Sequence, residues 1–341
     1  MTARRIGSNL AAASLALVAA VVGVLAVRAQ DGARPPATNQ ERERALPPYA
    51  RPPLREGVPY LRLFVIGDMG TGRPSQRKVA EVMAARAAAD GLDAIVTVGD
   101  NVYPDGVSSV DDPQWRTKLF DVYAAPALAV PIYPSLGNHD HRGNVQAQVD
   151  YAQRVPRWRM AGRYYAHTFR LGGGGAGGGG GATVDLVVVD TQSLRRGDGD
   201  PAQQAWLART LAASKATWKL VAGHHPVHTH GRYRGDERLA ERLEPLLVEH
   251  RVDLFLAGHD HSLQLIGPKQ GVLHLVSGAA GGLDMAYPVT WGDDSLFSAT
   301  GGGFTTLRLA PDEGALEFVR DGGETAWGHV VRPRGAAHGP Y

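Results

Sequence analysis

The sequence predicts an α/β fold: a four-layer αββα sandwich of two mixed β-sheets flanked by helices, in a single domain. Two observations carry this. Short aliphatic runs alternate with amphipathic stretches from Tyr60 onward, and five of those runs end in the same way, with a glycine followed at once by Asp or His. Apolar runs buried on both faces mark a covered sheet, and in such folds sites gather beyond the carboxyl ends of the strands.

In chain order the five runs are Leu61–Ile66 before Gly67-Asp68, Ala94–Val98 before Gly99-Asp100-Asn101, and Ile132–Leu136 before Gly137-Asn138-His139-Asp140. Leu220–Ala222 before Gly223-His224-His225 and Leu254–Ala257 before Gly258-His259-Asp260-His261 complete them. Glycine there lets backbone approach a bound group without a Cβ in the way. Helices are expected from Pro74 to Asp90, with Val79, Val82 and Met83 at helical spacing, and from Pro201 to Ser214, capped by Asp200. A third, from Asp236 to His250, carries Leu239, Leu243, Leu246 and Leu247 on one face, with a kink expected at Pro245. Further strands at Tyr164–Leu171, Thr183–Asp190, Val272–Ser277, Phe304–Leu309 and Leu316–Arg320 supply enough material for two stacked sheets. The nearly pure glycine run 172–181 lacks the Lys-Ser/Thr and following helix of a phosphate loop, so it reads as a flexible hairpin insertion.

Outside the domain, assigned to residues 60–332, the first thirty residues read as an export signal. Arg4 and Arg5 precede an apolar stretch from Leu10 to Val27, with small residues around Val27-Arg28-Ala29. That stretch is also long enough for an uncleaved signal anchor. Both readings place the protein outside the cytoplasm: periplasmic, secreted, or anchored to the outer face of the membrane. Residues 31–59 hold Pro35, Pro36, Pro47, Pro48, Pro52, Pro53 and Pro59 among charges and are expected to form an extended tether. Residues 333–341 are a tail.

The formal charge is +2, and removing Arg4, Arg5 and Arg28 from the 36 basic side chains leaves 33 against 34 acidic ones. No basic run interleaved with aromatics remains, which argues against a nucleic-acid partner. The chain has no cysteine and 13 histidines. Any metal site must therefore use oxygen and imidazole ligands, and no disulfide supports the fold.

Each glycine turn alone is ordinary, since Gly-Asp is a common turn and an Asp after a strand often caps a helix. Gly-Asn-His-Asp, however, arises by chance roughly once in several hundred sequences of this length. Finding it in order with two Gly-Asp and two Gly-His turns makes coincidence a weak account.

This series resembles the motifs of calcineurin-like metallophosphoesterases. Tyr103, three residues after Asp100, is similar to the purple acid phosphatase branch. The strings from Gly137 to Gln148 and from Gly258 to Gln264 resemble its small tartrate-resistant type. The likeness spans about residues 60–330. It implies a binuclear acid phosphatase that hydrolyses phosphate monoesters by attack of a metal-bound hydroxide. Fe(III) would be held by Asp68, Asp100, Tyr103 and His261. A divalent Fe, Zn or Mn would be held by Asp100, Asn138, His224 and His259. A hard trivalent ion favours carboxylate and phenolate oxygen, and imidazoles suit the divalent ions. With Asp68, Asp100 and Tyr103 ionised the centre keeps about two positive charges, which suits a phosphate dianion.

His139 and His230 match the family's leaving-group and phosphate histidines, with Asp140 expected to orient His139. His230 lies closer to His224 than in the mammalian-type enzymes, and His228 and His225 are the alternatives to it. His225 otherwise reads as packing at the site rim, and His250, His274, His329 and His338 as structural or exposed. Substrates implied are phosphorylated small molecules or phosphoproteins. The runner-up is a phosphodiesterase or nucleotide pyrophosphatase with two divalent ions; a metal-stabilised adaptor without activity would require lost ligands. Three departures from the mammalian type stand out: no cysteine pair, a short segment from Thr191 to Pro201 where those enzymes carry a restraining loop, and the glycine insertion.

Overall fold

The computed structural model describes residues 38–171, 181–281 and 288–334. The expected signal, most of the glycine insertion, most of the tail and His338 lie outside these residues. A short helix at Asn39–Arg44 belongs to a separate unit ending at Arg44. It starts with a reciprocal cap, in which Thr38 Oγ1 accepts from Glu41 N (3.2 Å) and Glu41 Oε2 from Thr38 N (2.7 Å).

The unit from Ala45 onward contains two mixed sheets. In the first, β1 (Leu61–Ile66), β2 (Ala94–Thr97) and β3 (Ile132–Pro134) run parallel. The antiparallel meander β11 (Gly303–Leu309), β12 (Gly314–Arg320) and β13 (Thr325–Val331) extends it through β1. The second has a parallel centre of β5 (Thr183–Val188), β6 (Trp218–Ala222), β7 (Leu254–Ala257) and β9 (Val272–Ser277). It is edged by β4 (Tyr165–Arg170) on one side and by β8 (Leu263–Lys269) and β10 (Ser295–Ala299) on the other.

The two-residue period sorts the second sheet's faces. Leu220, Ala222, Leu254 and Leu256 join the core shared with the first sheet, whereas Val221, Phe255 and Ala257 pack with Leu207, Leu211, Leu239, Leu243 and Leu247 of the covering helices. Helix Pro74–Asp90 covers the first sheet through Val79 and Met83. Between the sheets Phe297 stacks on Phe318 at 4.5 Å, and Trp218 Nε1 donates to Ala310 O (2.7 Å).

Helix Pro201–Ala213 is capped by Asp200, whose side chain accepts from Gln203 N, and helix Glu237–Glu249 by Asp236, which accepts from Leu239 N; Pro245 is accommodated inside the latter. Helix Val145–Arg154, capped by Asn144, and strands β8, β10 and β13 have no counterpart in the sequence reading. Residues 45–59, expected as tether, lie against the domain. Leu46 and Tyr49 pack on the core, Arg51 pairs with Asp90 (2.9 Å) and Glu317 (3.1 Å), and Arg55 with Asp312 (2.5 Å). Local composition does not reveal partners so remote in sequence.

Candidate metal centre

The carboxyl ends of the parallel strands from both sheets meet at one seam. The first sheet brings Asp68, Asp100, Tyr103 and Asn138, and the second brings His224, His259 and His261. Cross-sheet bonds fix the seam: His224 Nδ1 lies 2.8 Å from Val98 O, and His259 N donates to Asp68 Oδ2 (2.8 Å). Asp68, Asp100 and His259 adopt left-handed backbone, with φ of 56°, 52° and 68°. Such conformations cost about 1–3 kcal/mol each in non-glycine residues and gather where side chains must be aimed.

The glycines before them serve a purpose more specific than backbone access. A Cβ at Gly258 would lie 2.6 Å from Asp68 Oδ2 and 2.9 Å from Val98 O, and one at Gly137 would collide with Asp100 itself. The missing side chains make room for the functional residues.

Distances divide the cluster into two groups that share one atom. Tyr103 OH lies 3.1 Å from Asp68 Oδ1, 3.0 Å from Asp100 Oδ2 and 3.2 Å from His261 Nε2. His224 Nε2 lies 3.1 Å from Asn138 Oδ1, 3.2 Å from His259 Nδ1 and 3.5 Å from Asp100 Oδ2. Asp100 Oδ2 is common to both. Separations of about 3–3.5 Å are those of ligand atoms around an ion at about 2.1 Å.

Asp68 and Asp100 are buried, and neither pairs with Lys or Arg among the described residues. Burial pushes the Asp68 carboxyl up, but the bonded His261 imidazole, with His224 and His259, outweighs it and holds Asp68 below the ordinary range. Burial beside Asp68 and Asp100 drives the Tyr103 phenol well above its usual value. Burial, with His224 adjacent, pushes His259 down to about 2, so its ring is neutral. Two buried carboxylates, a phenol and three imidazoles form a donor set suited to cations, and the described residues include such His/Asp clusters.

At the rim, His139 lies with Nε2 3.9 Å from Asp100 Oδ2 and its ring 4.4 Å from that of Tyr103. Asp140 does not orient it, contrary to expectation. That carboxylate is turned inward and accepts from Asn101 N, Gly137 N and Gln148 Nε2, while His139 Nδ1 meets Pro104 O and Arg142. Burial and Asp100 push Asp140 up to about 6.

His230 makes no hydrogen bond or ring contact with the cluster among the described residues. Its ring is held by Asp294 (Nε2–Oδ1 2.6 Å) in the wall of a separate cavity, and its backbone by Gln264 and Thr290. His225 is buried against the His224 and His259 rings and bonded to Thr191 Oγ1 (2.9 Å). Burial, with His224 and His259 adjacent, holds it well below its ordinary pKa, in keeping with packing.

Two features escaped the sequence. His141 bonds to Asp190 (2.9 Å), which Arg163 holds from the other side (2.6 Å). His141 was visible in the Gly137 string without a role attached. Tyr233 stacks on His259 with centroids 4.1 Å apart, and nothing in its loop signalled that contact.

The sequence model of the calcineurin-like phosphoesterase family matches residues 61–263. Tartrate-resistant acid phosphatase type 5 of Mus musculus is 31% identical over 303 residues, covering 79% of this chain and 89% of its own. This chain belongs to the calcineurin-like phosphoesterases, in their purple acid phosphatase branch. Purple acid phosphatase 7 of Arabidopsis thaliana is 32% identical over 270 residues, 73% of this chain and 79% of that one. Among solved structures, GAP50, the anchor in the inner membrane complex of Plasmodium, superposes with a TM-score of 0.73 at 24% identity, over 82% of this chain and 90% of that one. At that identity the likeness concerns the calcineurin-like fold alone.

Proposed function

We propose that this calcineurin-like phosphoesterase is a binuclear-metal acid phosphatase acting on phosphate monoesters. The observation that carries it is the division of seven side chains into two donor groups sharing Asp100 Oδ2. Asp68, Asp100, Tyr103 and His261 suit a hard trivalent ion, Fe(III), and Asp100, Asn138, His224 and His259 suit divalent Fe, Zn or Mn. Such a pair of ions supplies Lewis-acid polarisation of the phosphoryl group and a water acidified enough to act as nucleophile.

The chain's own residues do the rest. Asp100 spaces the two groups. Val98 O fixes the His224 tautomer by accepting from Nδ1, which leaves Nε2 as donor to a metal. Tyr103 OH, bonded to both carboxylates, would give up its proton to serve as a ligand, so metal uptake would release protons. His139 sits at the rim with Nε2 toward the centre, placed to donate a proton to a leaving oxygen there. His230, held by Asp294, has no part in this account.

Substrates in this reading are phosphorylated small molecules or phosphoproteins, and nucleic acid is not among them. Residues 1–30 are the basis for proposing export, with or without an anchor. No helix among the described residues is long and apolar enough to cross a membrane. Metal analysis with para-nitrophenyl phosphate turnover tests the proposal: two ions per chain, iron among them, with a monoesterase optimum below neutral pH. Turnover of phosphodiesters alone, by two divalent ions, would replace it with the runner-up.

A further inference from the structure

On the helix-covered face of the second sheet, away from that seam, three side chains converge that the phosphatase chemistry does not use. Alternation along β9 sends Val272 and His274 to the same face, and Val272 packs there with Phe255, Leu239, Leu243 and Leu247. His274 is 1% exposed, and among the described residues neither Nδ1 nor Nε2 has a hydrogen-bond partner. A buried polar group left without a partner destabilises the fold, so an aliphatic side chain would serve packing better.

What faces His274 is not apolar. The His228 ring stands edge-on to it, with centroids 4.6 Å apart, and His228 Nε2 lies 2.9 Å from Glu244 Oε1 of helix Glu237–Glu249. One donor atom from each of His228, Glu244 and His274 lies within 4.8 Å of the others. Burial, with His228 and Lys269 nearby, holds His274 down to about 3, so its imidazole is neutral and its lone pair available. The Lys269 charge is met by Asp294 at 2.5 Å.

We propose that His228, Glu244 and His274 form a third metal site, a His-His-carboxylate site for a divalent transition ion of the Zn(II) class. It would join helix to sheet. Two imidazoles and one carboxylate are a common donor set for zinc, and His228 also lines a cavity of about 520 Å³, which would supply water as a fourth ligand. Ligand atoms around tetrahedral zinc stand about 3.4 Å apart, so no pair here has to close by more than about 1.4 Å. Glu244, with a side chain 23% exposed, can supply that by rotation. The ligands come from the loop after β6, the covering helix and β9, so the ion would tie three elements together. The site does not depend on the phosphatase reading.

The test is zinc binding by full-length protein prepared without a polyhistidine tag, stripped of metal and titrated with Zn(II). Glu244→Gln, on the helix surface, and His274→Leu, suited to its apolar neighbours, should each lower the bound zinc by one equivalent while para-nitrophenyl phosphate turnover of the reloaded enzyme is kept. In a background with Asp100→Ala and His224→Ala, one equivalent should remain, and it should vanish when Glu244→Gln is added. Zn(II) should raise the melting temperature of that background protein but not of its Glu244→Gln derivative. Unchanged zinc stoichiometry in both Glu244→Gln and His274→Leu would overturn the proposal, whatever the fate of activity.

Discussion

Gly258→Ala adds a single methyl at the seam, and the structure gives its consequence. The new Cβ would stand 2.6 Å from Asp68 Oδ2 and 2.9 Å from Val98 O, the carbonyl that holds His224 Nδ1. Ordinary contact needs about 3.4 Å, so the Asp68 carboxylate must retreat by about 0.8 Å. The Val98 carbonyl must give by about 0.5 Å, carrying His224 with it. Displacements near 1 Å cost about a hundredfold when catalytic groups must be aligned, so kcat/KM for para-nitrophenyl phosphate should fall roughly 10- to 100-fold. Metal occupancy should fall with it. The matched control is Gly181→Ala, whose Cβ would meet, among the described residues, only Leu171 O at 3.7 Å and which should leave kcat/KM within about twofold. If Gly258→Ala behaved like the control, with full metal and full activity, the glycines would not be making room for the functional side chains.

Three further outcomes follow from the same geometry. Iron-loaded wild type should show a visible phenolate-to-iron band that Tyr103→Phe abolishes, because only the oxygen bonded to Asp68 and Asp100 is removed; an unchanged spectrum would assign the colour elsewhere. Limited proteolysis between Thr191 and Pro201 should not raise turnover several-fold, since Thr191–Arg195 is helical and Arg242 Nη2 holds Gly197 O (2.7 Å), leaving no long loop to remove. Asp190→Asn should cost about 2 kcal/mol at pH 7, discounted for the half-exposed Arg163. Burial raises the Asp190 carboxyl, but its bonds to His141 and Arg163 outweigh this and hold it low. Its stabilisation is thus present above the unfolded value of about 3.9 and is lost as pH falls through the lower folded one. Denaturant melts should therefore show the variant and wild type converging on acidification; a gap that widens would contradict the assignment.

The strand ends were legible because each couples two local signals, an aliphatic run and a glycine beside a donor, and those signals are what the seam requires. Asp68, Asp100 and His259 could be placed at turns from sequence, but their left-handed backbone could not. Asp140 was misread because adjacency suggested a bond to His139, whereas the 3-10 turn Asp140–Arg142 points the carboxylate inward to Asn101 and Gln148. The partner of His230 was hidden for a related reason: Asp294 is remote in sequence, and it holds the ring in the wall of a cavity. β8 was hidden by Gly267-Pro268-Lys269 at its end, and helix Val145–Arg154 by Gln and Asp on its exposed face. The proline count of residues 45–59 favoured an extended tether. It is extended, but Arg51 and Arg55 fasten it to acids that only the fold brings near.

The central claim is that the seam holds two metals through a shared Asp100 and hydrolyses phosphate monoesters. Its most direct test is metal content and para-nitrophenyl phosphate turnover measured on the same samples of wild type, chelator-stripped wild type and Asp100→Ala. The account predicts metal at the seam and turnover in wild type, loss of both on stripping with recovery on reloading, and neither full occupancy nor more than about a thousandth of the activity in Asp100→Ala. Turnover that persisted through stripping and in Asp100→Ala would contradict it.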